Sequence, residues 1–152
     1  MFTRQPLSRE KALAKLAALC ARAEYCTGDM EDKMRRWGLS GDDIKENISY
    51  LVANKYVDNA RYCQTFVNDK IAYNHWGRRK IEQALWIKRV PESVSAPILD
   101  AVPEEEYINV LKPLIASKSA TVKAESDYER QMKLMKFALG RGFSIDEIKQ
   151  CL

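Results

Sequence analysis

Three short junctions recur along this 152-residue chain at a spacing of about fifty residues, and they restrict its fold more than any other feature. Leu39-Ser-Gly-Asp-Asp-Ile44 and Phe143-Ser-Ile-Asp-Glu-Ile148 have one layout: an apolar residue, a capping serine, acids in a first helical turn, then isoleucine. Val90-Pro-Glu-Ser-Val94 is a looser copy, one residue shorter, with Pro91 suited to a first helical turn. Ser40 with Asp43 approaches a capping box, and Ser144 with Glu147 completes one. The acids oppose the positive end of the helix dipole at all three places. Trp37-Gly38-Leu39 reads as a helix end with glycine in the left-handed conformation, and Gly140-Arg-Gly-Phe143 precedes the third junction.

Between the junctions the apolar residues recur with helical period. Ile44, Ile48, Leu51 and Val52 form one stripe; Cys63, Phe66, Val67 and Ile71 form another; Tyr128, Met132, Met135 and Leu139 form a third. Leu13, Leu16 and Cys20 make a weaker one, and no segment alternates cleanly with the period of a strand. The pattern predicts an all-α protein of about nine helices in three tandem three-helix units, spanning 1–57, 58–102 and 103–152. A unit this small cannot cover its own apolar face, so stacked units, elongated and curved, are expected. Pro97 and Pro113 are each expected to kink or end a helix. Residues 116–126 carry no stripe and read as a long link.

The chemistry of catalysis is hard to find. His75 is the only histidine, and it lies in Asn-His-Trp-Gly, a turn. Cys20, Cys26, Cys63 and Cys151 show no metal-ligand or disulfide-framework spacing and read as small apolar residues. The paired carboxylates, such as Asp42 with Asp43, sit in first helical turns where capping accounts for them. No cofactor, no metal and no enzymatic activity is expected. No run approaches the roughly 18 apolar residues of a membrane span, so a cytoplasmic monomer is the expectation.

Charge points to a partner. The chain carries a net charge of +4, yet between residues 70 and 89 six cations face one acid, Glu82. Lys70, Arg78, Arg79, Lys80, Lys88 and Arg89, with Tyr73 and Trp76 among them, are the candidate contact residues for a partner or for DNA. The competing reading is a solvated helix face, with part of the cationic stems covering apolar surface. Trp37 and Trp86, each at a helix end beside an apolar junction, are expected to pack between units.

The stretch Tyr56-Val-Asp-Asn-Ala-Arg-Tyr-Cys-Gln-Thr-Phe-Val67, then Gly77-Arg-Arg-Lys-Ile81, then Leu85-Trp-Ile-Lys-Arg-Val90 resembles the RecX regulators of the bacterial recombinase RecA. It departs from that family's pattern at Asn54-Lys55 and Arg89, where glycine is common, and at Asn59, which replaces an acid. The resemblance implies tandem three-helix units and a partner, the RecA filament on DNA, whose ATPase, strand-exchange and co-protease activities such proteins suppress. It also marks Phe66, Val67, Ile81 and Leu85 as core of the second unit. A helical protein that binds DNA by itself is the alternative.

Overall fold

The computed structural model describes residues 5–152, and among them there are nine helices and no strand. They are α1 (Arg9–Cys20), α2 (Thr27–Arg36), α3 (Gly41–Ala53), α4 (Asn59–Ala72), α5 (Arg78–Ile87), α6 (Glu92–Asp100), α7 (Glu104–Thr121), α8 (Asp127–Gly140) and α9 (Ile145–Cys151). The start signals act as their chemistry dictates. The hydroxyls of Ser8, Ser40, Ser126 and Ser144 each accept a hydrogen bond from the backbone N–H three residues on, which satisfies a donor the helix leaves unpaired. Glu147 returns the bond to the Ser144 N–H and completes the box. Asp58 caps α4 by accepting from the N–H groups of Ala60 and Arg61.

The second helix of every unit ends on a residue with positive φ: Gly38 at +81°, Arg89 at +60° and Gly142 at +97°. This is the left-handed turn that glycine favours, and Arg89 adopts it although it carries a side chain. Lys55, the other departure from glycine, does the same at +61°.

The apolar side chains form two cores. Ala12, Leu16, Met30, Met34 and Leu51 lie in one, confined to the first unit. Val67, Ile81, Leu85, Leu111 and Ile148 lie in the other, which runs through α4–α9. Val67, Ile81 and Leu85 are buried in this core, as the motif implies, and Phe66 packs partly buried against it.

The units are joined through backbone. At the end of each second helix the last carbonyl is met by a segment from outside that helix pair. The Leu7 N–H donates to the Trp37 carbonyl (3.1 Å), the Cys26 thiol to the Lys88 carbonyl (3.7 Å), and the Gly77 N–H to the Arg141 carbonyl (2.8 Å). The two inter-unit joints are close enough to exclude side chains: a Cβ on Gly28 would overlap the Lys88 carbonyl, and one on Gly77 the Gly142 carbonyl.

Four expectations are corrected. Neither Pro97 nor Pro113 ends its helix. Both are exposed, and so are Ser93 and Asn109, whose carbonyls they orphan, so those carbonyls turn to water at little cost. Residues 116–126 are not a link, because α7 continues to Thr121 and only 122–126 connect it to α8. The α8 stripe is turned: Leu134 and Ala138 are buried, whereas Tyr128, Met132 and Leu139 are exposed. Trp86 does not pack between units and is 80% exposed. The buried stripe of α5 is Ile81 and Leu85, and a residue one place beyond Leu85 is rotated about 100° from it.

Candidate functional site

The basic segment from Lys70 to Arg89 does not form one cationic face. It divides into a joint, a clamp and a platform.

Lys88 and Arg89 make the joint with the first unit. The Lys88 ammonium lies 2.8 Å from an Asp29 oxygen, and the Arg89 guanidinium lies 3.0 Å from Asp32 and 3.7 Å from Glu31. Arg89 also donates to the Gly28 carbonyl at 3.0 Å. Burial alone would push the Asp29 carboxyl up, but Lys88 and the Cys26 donors outweigh it and hold that carboxyl below its ordinary value. Donating to Asp29 raises Lys88 in turn, and donating to Asp32 raises Arg89. Desolvation pushes the Cys26 thiol at the centre of this joint up to about 11.

The family motif supports the same joint. The Asn59 carbonyl oxygen accepts from the Thr27 N–H (3.0 Å) and its amide donates to the Thr27 hydroxyl (3.1 Å). Arg61 donates to Glu24 at 2.7 Å and to the carbonyls of Lys55 and Tyr56. Asn59 is therefore a second N-terminal acceptor for α2, and Arg61 ties α4 back to the first unit.

Arg78 is the clamp. It donates to Glu82 and to Asp100, each at 2.6 Å, and so ties α5 to α6. Those bonds, Glu82 first, raise its basicity.

Lys70, Lys80, Trp76 and Tyr73 make the platform. The Lys70 and Lys80 ammonium groups lie 4.9 and 4.7 Å from the Trp76 ring centre, within cation–π range. Lys70 also lies over Phe66. Tyr73 is 79% exposed. Among the described residues the Arg79 side chain has no hydrogen-bond or ion-pair partner, while its backbone N–H donates to the Gly142 carbonyl at 3.1 Å. Lys70, Arg79 and Lys80 are thus the cations of the segment not committed to carboxylates, whereas Arg78, Lys88 and Arg89 are partly neutralised within the fold.

The exposed apolar face of α5 was not among the expected contacts. Trp86 and Ile87, 80% and 68% exposed, stand at a cavity of about 560 Å³ between α5 and α6. A signal for it exists in the sequence: two large apolar residues directly follow Leu85, where the Ile81–Leu85 stripe has already used the inward face.

Among the described residues no helix is long and apolar enough to cross a membrane.

Two family models match. The RecX second three-helix domain covers residues 58–96 and the RecX third three-helix domain covers residues 104–152, together more than half of the chain. Regulatory protein RecX of Vibrio parahaemolyticus is 27% identical over 88% of this chain and 84% of its own length. That of Chlorobium limicola is 25% identical over 95% of this chain and 89% of its own length. The crystal structure of RecX from Lactobacillus salivarius has this fold, with a TM-score of 0.84 at 19% identity over 94% of this chain and 93% of that one. A second crystal structure of a regulatory protein RecX superposes with a TM-score of 0.88 at 17% identity, over 94% of this chain and 72% of that one. The Asp58–Arg61 motif that builds the first joint, the interlocked glycines of the second and the two consecutive family domains lead to one conclusion: this chain belongs to the RecX family of regulatory proteins.

Proposed function

We propose that this chain is a cytoplasmic, monomeric regulator that binds the RecA filament in its groove and inhibits its ATPase, strand-exchange and co-protease activities, so modulating DNA repair and recombination. The observation that carries the reading is family membership across two consecutive domains, with the family's motif residues engaged in holding the units together. A protein of stacked units, elongated and curved, offers a long surface to a helical groove and touches neighbouring subunits at once. Such a ligand slows turnover by binding one filament state more tightly than the others, and its effect is limited to that difference in affinity. The test is RecA ATPase on single-stranded DNA with increasing amounts of this protein. Activity falls to a plateau on this reading; activity unchanged at every ratio removes it.

A second reading, a helical protein that binds DNA by itself, is favoured by the platform of Lys70, Trp76 and Lys80 with exposed Tyr73. Stacked bases over an aromatic ring between two cations suit a single strand. With Lys70, Arg79 and Lys80 on phosphates, the logarithm of affinity should fall against that of salt with a slope of about −2, at about 0.7 per contact. Binding to single-stranded DNA that is flat with salt rejects this reading.

A further inference from the structure

Two cavities meet along the outer face of α5. The first, of about 560 Å³, lies between α5 and α6 beside Trp86 and Ile87. The second, of about 890 Å³, lies between the start of α5 and the third unit, beside Leu139 and Ile145. Arg78 and Glu82 line both, so the two form one trough across units two and three. Leu139 and Ile145 are 39% and 50% exposed, and with Trp86 and Ile87 they put four large apolar side chains at its edges. Single exposed apolar residues are ordinary, but four around one depression mark a contact surface.

The fold itself does not require apolar residues there. The second helix of the first unit, α2, has the same length as α5 and carries Arg35 and Arg36 where α5 carries Trp86 and Ile87. Tryptophan at such a position is the residue type that most often anchors a protein interface.

Two polar observations say what fits. Tyr107 is only 3% exposed and lines the second cavity, and its hydroxyl has no hydrogen-bond partner among the described residues. Burial pushes that hydroxyl up to about 12, so it stays protonated and available as a donor. The trough is also acidic. Glu82, Glu92, Glu104 and Asp146 line it against Arg78 and Arg79, and Arg78 is already held by Glu82 and Asp100.

We propose that this trough seats a basic segment of a partner protein with two apolar anchors, one against Trp86 and Ile87 and the other between Leu139 and Ile145 above Tyr107. Arg78 and Ile87 mark its two ends on α5, about 14 Å apart at 1.5 Å of rise per residue. The complementary charge is Lys or Arg beside the anchors, meeting the surplus acids. The inference rests on the reading above that the partner is the RecA filament. It moves the principal contact from the platform of Lys70, Trp76 and Lys80 to the trough beside Trp86 and Ile87.

The experiment compares the full chain and its variants in RecA ATPase assays on single-stranded DNA. Trp86→Ala and Ile145→Asp each remove an exposed anchor, and thermal unfolding verifies that both fold. Each variant should need at least about ten-fold more protein for half-inhibition, the loss typical of an interface anchor. Tyr128→Ala, at an exposed aromatic on α8 that lines neither cavity, should stay within about two-fold of the unaltered protein, as a residue outside the anchor region does. Glu92→Lys with Asp146→Lys should also weaken inhibition; stronger inhibition would show that the partner segment is not basic and overturn the proposal. If the unaltered protein inhibits and both anchor variants inhibit as well as it does, the trough is not the contact and the regulator reading stands. If the unaltered protein does not inhibit at all, the regulator reading fails and the occupant proposed for the trough goes with it.

Discussion

Gly77→Ala should be among the most damaging single substitutions in this chain, although Gly77 has an ordinary φ of −84° that alanine adopts freely. The damage comes from space. A Cβ at Gly77 would sit 2.5 Å from the Phe143 nitrogen and overlap the Gly142 carbonyl, where ordinary contact begins at 3.4 Å. The obstructing atoms are backbone and cannot rotate away, so the two units must separate by about 1 Å, the shortfall between those distances. Separation strains two hydrogen bonds, Gly77 N–H to Arg141 (2.8 Å) and Arg79 N–H to Gly142 (3.1 Å). Each contributes about 0.5–1.5 kcal/mol. Overpacking costs a further ~1–3 kcal/mol. Alanine recovers about 0.4–1 kcal/mol by restricting the unfolded chain. The net loss is therefore about 2–4 kcal/mol, or roughly 4–16 °C in Tm for a domain of this size. Gly41→Ala is the matched control, since nothing lies within 4 Å of its would-be Cβ and the position is helical. It should stabilise by about 0.5–1 kcal/mol. Urea denaturation followed by circular dichroism measures both. A Gly77→Ala protein within about 0.5 kcal/mol of the unaltered chain would refute the interlocked joint, because a surface change has that size.

Two further outcomes follow from the same geometry. Lys55→Gly should stabilise by up to about 1 kcal/mol, because Lys55 is exposed with φ of +61° and its interaction with Arg61 uses its backbone carbonyl, which glycine keeps; a lower urea midpoint would contradict this. Asp29 is held below its ordinary carboxyl range in the folded chain, so its contribution is present above the unfolded pKa and is lost as pH falls through the lower folded value. Asp29→Asn should therefore lower stability near neutral pH and flatten the acid limb of the stability–pH curve below about pH 4. An acid limb as steep as that of the unaltered protein would show that the Lys88 pair does not stabilise the joint.

Capping and periodicity are local, and they were legible. Ser40 and Ser144 act on backbone N–H groups three residues away, so the residue type at that spacing suffices to place a helix start. The left-handed ends at Gly38 and Gly142 are legible for the same reason. The α8 stripe misleads because Tyr128, Met132, Met135 and Leu139 have the spacing of a buried face, yet the neighbouring Leu134 and Ala138 point at the core. Periodicity shows that a helix has an apolar face, not which of two such faces a neighbour covers. Pro97 and Pro113 mislead because a helix tolerates proline where the orphaned carbonyl meets water, and exposure is a tertiary property.

The basic segment shows the same boundary at the level of the site. Its composition establishes six cations within twenty residues, and the motif from Tyr56 to Val90 carries the resemblance to the family. Where each charge goes depends on residues distant in sequence: Asp29 and Asp32 are about sixty positions before Lys88 and Arg89, and Asp100 lies on the next helix from Arg78. Coulombic pairing depends on separation in space, which only the packed units define. The sequence by itself therefore determines the helices, their caps and the threefold repeat, because these follow from contacts within a few residues. Tertiary structure alone decides that half of the cations are structural and that Trp86 and Ile87 on α5 face water, because those follow from how one unit is set against the next.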